Sequence, residues 1–215
     1  MARRYDTNDA TDRTTGLREA ASAVRRGELV VLPTDTVYGI GADAFSPEAV
    51  GDLLAAKGRG RSMPSPVLIG SPNTLHGLVT DFSEQAWELV DAFWPGGLTL
   101  IARHQPSLQW DLGETRGTVG IRMPLHPVAI ELLTEVGPMA VSSANLSGHP
   151  SPEDCDAAQQ MLGDSVSVYL DGGPTPGIVP SSIVDVTGSR PVLLRAGSID
   201  ADELRKVVPD LEVAS

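Results

Sequence analysis

A single cysteine, Cys155, stands in a chain of 215 residues, so no internal disulfide can form and the sequence suits a reducing compartment. Long hydrophobic runs are missing as well. The longest, such as Leu29-Val30-Val31-Leu32, are strand-sized and far too short to span a bilayer. The opening residues, MARRYDTNDATDR, carry two early arginines with no apolar stretch behind them, so no secretory signal is expected. These absences predict a cytoplasmic protein that does not engage a membrane. Basic residues are also in deficit: 16 Lys and Arg against 28 Asp and Glu leave a net charge of −12. That balance argues against a surface built to grip a phosphate backbone. Lysine itself is scarce, with Lys57 and Lys206 set against 14 arginines. Where arginine is the habitual cation, a lysine marks a need for a compact, flexible point charge. This draws notice to Lys57.

Carboxylates are locally absent. None lies between Asp52 and Asp81, a window that holds Lys57, Arg59 and Arg61. A second acid-free window, between Glu114 and Glu131, holds Arg116 and Arg122. Residues 136–152 and 172–184 contain no Asp, Glu, Lys or Arg. Such windows are either a local anion site or ordinary buried strands and loops, and both readings stand. Several familiar motifs are missing. There is no G-x-x-x-x-G-K-[ST] phosphate loop and no G-x-S-x-G elbow. His76, His104, His126, His149 and the cysteine show no metal-ligand spacing, so no protein-held metal is expected. Gly39-Ile40-Gly41-Ala42-Asp43-Ala44 loosely fits a dinucleotide fingerprint, but the next helix start, Ser46-Pro47, comes several residues late.

What is present is an alternation of elements. Helical spacing and stop signals predict helices over residues 14–27, 46–57, 83–93, 126–136, 152–162 and 200–208. Short apolar or β-branched runs predict strands over 28–32, 66–69, 98–102, 118–123, 139–142, 166–170, 183–186 and 192–194. Residues 1–13 read as a polar segment, and the Gly/Pro-rich stretch 172–180 as a mobile loop. Strands and helices alternate early and strands cluster late. This predicts one α/β domain over 1–215, a twisted mixed sheet with helices on its faces.

Short polar segments fall at the strand ends: Pro33-Thr34-Asp35-Thr36-Val37-Tyr38-Gly39, Lys57-Gly58-Arg59, Val119-Gly120-Ile121-Arg122-Met123-Pro124, Ser143-Ala144-Asn145-Leu146-Ser147-Gly148, Ser181-Ser182-Ile183-Val184-Asp185 and Leu194-Arg195-Ala196-Gly197. Each alone reads as a turn or cap. Together, in this order, they resemble the threonylcarbamoyladenylate synthases, the YrdC-like domain, over about residues 16–199. The resemblance implies an open, twisted α/β sheet around a large cavity. It implies an enzyme, a nucleotidyltransferase, that joins L-threonine, bicarbonate and ATP and releases pyrophosphate. A separate threonylcarbamoyl transferase complex would then modify adenosine 37 of tRNAs that read codons beginning with A. By the same resemblance, Lys57 and Arg59 are catalytic contacts to the triphosphate with Arg61 beside them, and Thr118, Ser143, Asn145, Ser151 and Arg195 serve ATP. Thr34, Arg122, the backbone at Val141, and Ser181 match the threonine pocket. An arginine there suits a carboxylate, which its planar fork can grip at two points. Magnesium is expected on the phosphates.

The chain departs from the family pattern in two places. Gly60 stands where a proline follows K-x-R, and Arg61 to Ser65 looks about two residues longer. No histidine ends the strand Val67-Leu68-Ile69-Gly70, so a histidine contact to threonine does not carry over. The chain stops soon after Arg195, which fits the short form without an extra C-terminal domain. Two rival readings are a carbamoyltransferase-type domain that forms an unsubstituted carbamoyl adenylate, and a non-enzymatic RNA-binding module. A weak tRNA contact through a local basic patch is compatible with either class.

Overall fold

The computed structural model describes residues 2–177 and 179–214; Ile178, within the stretch read as a mobile loop, lies outside them, as do Met1 and Ser215. In chain order the strands are β1 (Arg3–Asp6), β2 (Val30–Leu32), β3 (Gly39–Asp43), β4 (Val67–Leu68), β5 (Val79–Thr80), β6 (Leu98–His104), β7 (Thr118–Arg122), β8 (Met139–Ser143), β9 (Val168–Asp171), β10 (Ser182–Asp185), β11 (Val192–Arg195) and β12 (Glu212–Val213). The α-helices are α1 (Ala10–Arg25), α2 (Pro47–Ala56), α3 (Leu75–Leu78), α4 (Glu84–Phe93), α5 (Pro127–Val136), α6 (Cys155–Leu162) and α7 (Ala201–Val207).

Helix starts follow local chemistry. Ser46 caps α2 by accepting from Ala49 N, with Pro47 in the first turn, and Ser83 caps α4 by accepting from Ala86 N. At the C-terminus of α5 a glycine, Gly137, takes the left-handed φ of 87°. The polar segment expected over residues 1–13 carries regular structure. Its side chains are mostly exposed, yet it supplies β1 and the first turn of α1, capped by Asp9. β1 is held by parallel pairing to β9 rather than by apolar burial, which no sequence period reports.

All strands join one mixed sheet in the order β1-β9-β2-β3-β8-β4-β7-β6-β10-β11-β12, with β5 paired to β6. Alternation divides the core. Val30 and Leu32 pack with α1 and α5 on one face, against Ala20, Val24, Val128 and Leu132. Val31 points the other way, into the larger cluster with Leu53 of α2, Leu89 of α4, Ala158 of α6 and Leu204 of α7. Each Leu or Val buried in this way contributes about 1.5–3 kcal/mol. The loop expected to be mobile is tied down over part of its length. Gly172 N donates to Tyr38 Oη at 3.0 Å, Tyr38 donates to Gly173 O at 2.6 Å, and Thr175 N donates to Glu153 O at 2.8 Å.

Candidate active site

Along β8, β4, β7 and β6 the same alternation builds a site. Ile121, Leu100 and Ala140 face the larger core, while their neighbours in sequence face the side that α1 and α5 cover only in part. Register aligns these neighbours across strands: Leu68 pairs with Arg122, Gly120 with Ile101, and Gly39 with Ser143. They form the floor of a cavity of about 420 Å³, walled by Thr34, Thr36–Gly39, Pro64–Pro66, Thr115, Ser151 and the residues around Ser181 and Arg195. Charged residues on the lining are Arg59, Arg122 and Arg195; no lining residue is a carboxylate. The acid-free windows are both things at once: buried strands, and the walls of a cationic cavity.

Arg122 is held on three sides. Nε donates to Gly96 O at 2.8 Å, Nη1 to Thr36 Oγ1 at 2.8 Å, and Nη2 to Asp35 Oδ1 at 2.6 Å. A guanidinium has five N–H donors, so one stays unspent on each terminal nitrogen. That is the complement of a carboxylate bound by its two oxygens. Burial pulls the Arg122 pKa below its ordinary value, and Asp35 opposes the pull. Asp35 Oδ1 also accepts from Leu125 N at 2.9 Å, which fixes the pair against the β7–α5 turn.

Arg59 donates from Nη1 to Ser142 Oγ at 3.1 Å, while its Nε is buried with no partner. The Ser65 hydroxyl, also on the lining, is buried and unpartnered. Burial pulls the Arg59 pKa down as well. Unsatisfied buried donors cost about 1–3 kcal/mol each, so an anion or polar ligand that reached them would recover that cost.

Three expected residues lie off the cavity lining. Lys57, expected at the triphosphate, does not line the cavity: it is fully buried, and its ammonium donates to Asn145 O at 2.7 Å and to Ser143 O. In return Ser147 N donates to Lys57 O at 2.9 Å. Burial, aided by the charge of Arg59, lowers the Lys57 pKa to about 8. Asn145 likewise turns into its own loop, its Nδ2 donating to Leu146 O at 2.9 Å and His149 O at 2.8 Å. Arg61, expected beside the phosphates, lies outside the cavity wall, exposed and ion-paired with Asp111 at 2.7 Å.

Of the twelve candidates, nine line the cavity: Thr34, Arg59, Thr118, Arg122, Val141, Ser143, Ser151, Ser181 and Arg195. Thr34 Oγ1 donates to Val37 O at 2.7 Å and accepts from Thr36 N at 3.2 Å, which shapes the turn at the cavity edge. The Val141 amide donates to Pro66 O at 2.9 Å and is not free for a ligand. Thr118 Oγ1 donates to Thr115 O at 2.8 Å. Arg195 donates from Nε and Nη2 to Ser181 O, at 3.0 and 2.7 Å. Asp35, Thr36 and Thr99 were missed as site residues. They act through partners on other strands, and a one-dimensional pattern carries no signal for that.

The missing histidine has a counterpart in the packing. A Cβ on Gly70 would lie 2.8 Å from Thr134 N of α5, so a side chain there meets a helix backbone. Among the described residues no group of three or more His, Cys, Asp or Glu stands together as metal ligands. No helix among them is long and apolar enough to cross a membrane.

The family model Sua5/YciO/YrdC, described as telomere recombination, matches residues 22–197. A Mycobacterium tuberculosis protein provisionally named threonylcarbamoyl-AMP synthase is 56% identical over 208 residues, covering 97% of this chain and 96% of its own. The Bacillus subtilis threonylcarbamoyl-AMP synthase is 39% identical over 199 residues, covering 92% of this chain and 58% of its own. A solved structure of Pyrococcus abyssi Sua5 complexed with L-threonine is similar with a TM-score of 0.91 and 33% identity, covering 100% of this chain and 62% of that one. The chain therefore spans nearly all of the mycobacterial relative and less than two thirds of the other two.

Proposed function

This chain belongs to the Sua5/YciO/YrdC family, and from that membership we propose that it joins L-threonine, bicarbonate and ATP into L-threonylcarbamoyladenylate, releasing pyrophosphate. One observation carries the reading. The cavity is lined by three arginines and no carboxylate, and Arg122 keeps one free N–H on each terminal nitrogen.

Threonine enters with its carboxylate on Arg122, within reach of Thr34 and Ser181. Its neutral amine adds to CO₂ with release of a proton, or to bicarbonate with release of water, to give a carbamate, and a carbamate oxygen attacks the α-phosphate of ATP. The bond to the β-phosphate breaks, and pyrophosphate leaves with the electron pair. No enzyme nucleophile is needed. The work of the chain is to hold three reactants together and to stabilise charge on the phosphates. Arg59 and Arg195 supply cations, with hydroxyls from Thr118, Ser143 and Ser151 around the nucleotide. Lys57 and Asn145 hold the loop that presents Ser143. Magnesium would come bound to the ATP phosphates and help neutralise them, since the cavity lining supplies no carboxylate to hold it. The adenylate is a mixed anhydride, and a threonylcarbamoyl transferase acting on tRNA would consume it.

The RNA-binding reading is less well supported. Arg3, Arg4, Arg13, Arg25 and Arg26 are each ion-paired with a carboxylate, which neutralises five of the six arginines in residues 1–26. The deciding experiment is pyrophosphate release by purified protein with ATP, magnesium, threonine and bicarbonate, omitting each in turn. Loss of signal without threonine and without bicarbonate is expected. Turnover that ignores bicarbonate but needs carbamoyl phosphate would move the chain to the carbamoyltransferase class.

A further inference from the structure

The segment from Gly58 to Ser65 carries Arg59, Pro64 and Ser65 onto the cavity lining. Its two ends are anchored. Arg59 N donates to Leu54 O of α2 at 2.9 Å, and Pro66 O accepts from Val141 N of β8 at 2.9 Å. Between these anchors the backbone has little stiffness of its own. Gly58 takes a left-handed φ of 61° with open space where a Cβ would stand, and a Cβ on Gly60 would meet only Ser62 Oγ, at 3.9 Å. One internal turn forms, where Met63 N donates to Gly60 O at 3.2 Å.

The loop between β6 and β7 holds the middle of the segment. Glu114 N donates to Arg61 O at 2.8 Å, and the Arg61 side chain pairs with Asp111. Gly113 makes this approach possible. Its φ is 104°, and a Cβ there would lie 2.7 Å from Arg61 O and 3.4 Å from Pro64 Cα. Any other residue would force the loop and the segment apart. Asp111 Oδ1 accepts from Gly113 N at 3.2 Å and shapes the turn. The bond from Glu114 falls on the Arg61 carbonyl, so it does not depend on the Arg61 side chain.

Resting on the function proposed above, we propose that Gly113 is a positioning residue for the nucleotide half of the cavity. Its bare Cα lets the β6–β7 loop clasp the 58–65 segment, and the clasp fixes where Arg59 stands against the ATP phosphates. Gly113 itself is not on the lining and touches no substrate. The threonine half is set separately, because Arg122 is held by Gly96, Thr36 and Asp35.

The test compares Gly113→Ala with Gly27→Ala. Both put a methyl at a left-handed φ, 104° and 79°, but a Cβ on Gly27 meets nothing closer than 3.9 Å. Backbone strain is common to the two, and only the first disturbs the clasp. Calorimetry with ATP and, separately, with threonine runs beside pyrophosphate release. Gly113→Ala is expected to lose roughly 10-fold or more in ATP affinity or in kcat/KM for ATP, the scale on which ångström misplacement acts. Its threonine affinity should be unchanged, and Gly27→Ala should keep both. Equal losses in the two variants, or threonine affinity falling in step with ATP affinity, would reduce Gly113 to a general stability residue and overturn the proposal. A Gly113→Ala protein with wild-type ATP parameters overturns it as well. Where Gly113→Ala does not fold, Glu114→Pro deletes the donor to Arg61 O and must show the same split between ATP and threonine. If the wild-type protein binds ATP but releases no pyrophosphate, the reaction proposed above falls, and the ATP affinities of the variants still decide the clasp. If it binds no ATP, both fall.

Discussion

Lys57 Nζ donates to the carbonyl oxygen of Asn145 across 88 residues of sequence, at 2.7 Å, and Ser147 N returns a bond to Lys57 O at 2.9 Å. The turn after α2 and the loop after β8 are thus clasped through a buried ammonium. Two cavity-lining residues, Arg59 on one segment and Ser143 on the other, share this anchor.

Lys57→Met keeps the stem and deletes the clasp. Each stranded carbonyl costs about 1–3 kcal/mol, so denaturant unfolding should show a loss of that order. Pyrophosphate release by the folded variant should slow roughly 10- to 150-fold if one charged hydrogen bond's worth of positioning is lost. A variant unchanged in both would mean that the clasp is idle.

Arg122→Ala leaves Asp35 without its partner in a site where Arg122 and Asp35 have side-chain exposures of 7% and 17%. Breaking such a pair costs about 3–5 kcal/mol. In calorimetry the variant should lose threonine affinity far more than ATP affinity. The reverse pattern would exchange the two subsites.

Arg61 is exposed and paired with an exposed Asp111. Pairs of this kind are worth about 0–1 kcal/mol. Arg61→Ala should therefore change both the unfolding midpoint and the ATP KM little. A tenfold rise in ATP KM would show that the 58–65 segment rearranges on binding nucleotide, bringing Arg61 inward.

Burial pushes the Cys155 thiol from its ordinary value near 9 up to about 12. The folded chain then keeps a proton that the unfolded chain sheds. Stability from this group is complete below pH 9 and drains away as pH rises towards 12, at no more than about 1.4 kcal/mol per pH unit. Cys155→Ala removes the slope. The difference in unfolding free energy between the two proteins should be flat below pH 9 and narrow above it; a flat difference throughout would contradict the raised pKa.

Much of the architecture was legible in the sequence for local reasons. Ser46-Pro47 and Ser83 announce α2 and α4, and Gly137-Pro138 ends α5. β3 was not legible. Its two glycines stood out only as a loose dinucleotide fingerprint, and the neighbouring Val141 explains why a strand wants them. The polar β1 stayed hidden because pairing with β9 makes it a strand. In the site, Thr34, Arg122 and Ser181 line the cavity, and the sequence pointed to them only through the family resemblance. The inward turn of Lys57, the outward turn of Arg61 and the Asp35–Arg122 pair depend on which strands become neighbours, and no spacing along the chain encodes that.

The floor of the cavity and the hydrophobic core share the same strands, one residue apart. A substitution at Leu68 or Thr99 alters what the cavity accepts and leaves Val67 or Leu100 in place beneath. A single-residue insertion in β6 or β7 does something else. It turns floor into core and core into floor for the rest of the strand, burying Arg122 in hydrocarbon or delivering Ile121 to the ligand. The cavity can therefore be retuned one residue at a time, whereas a change of length in β6 or β7 disturbs floor and core together.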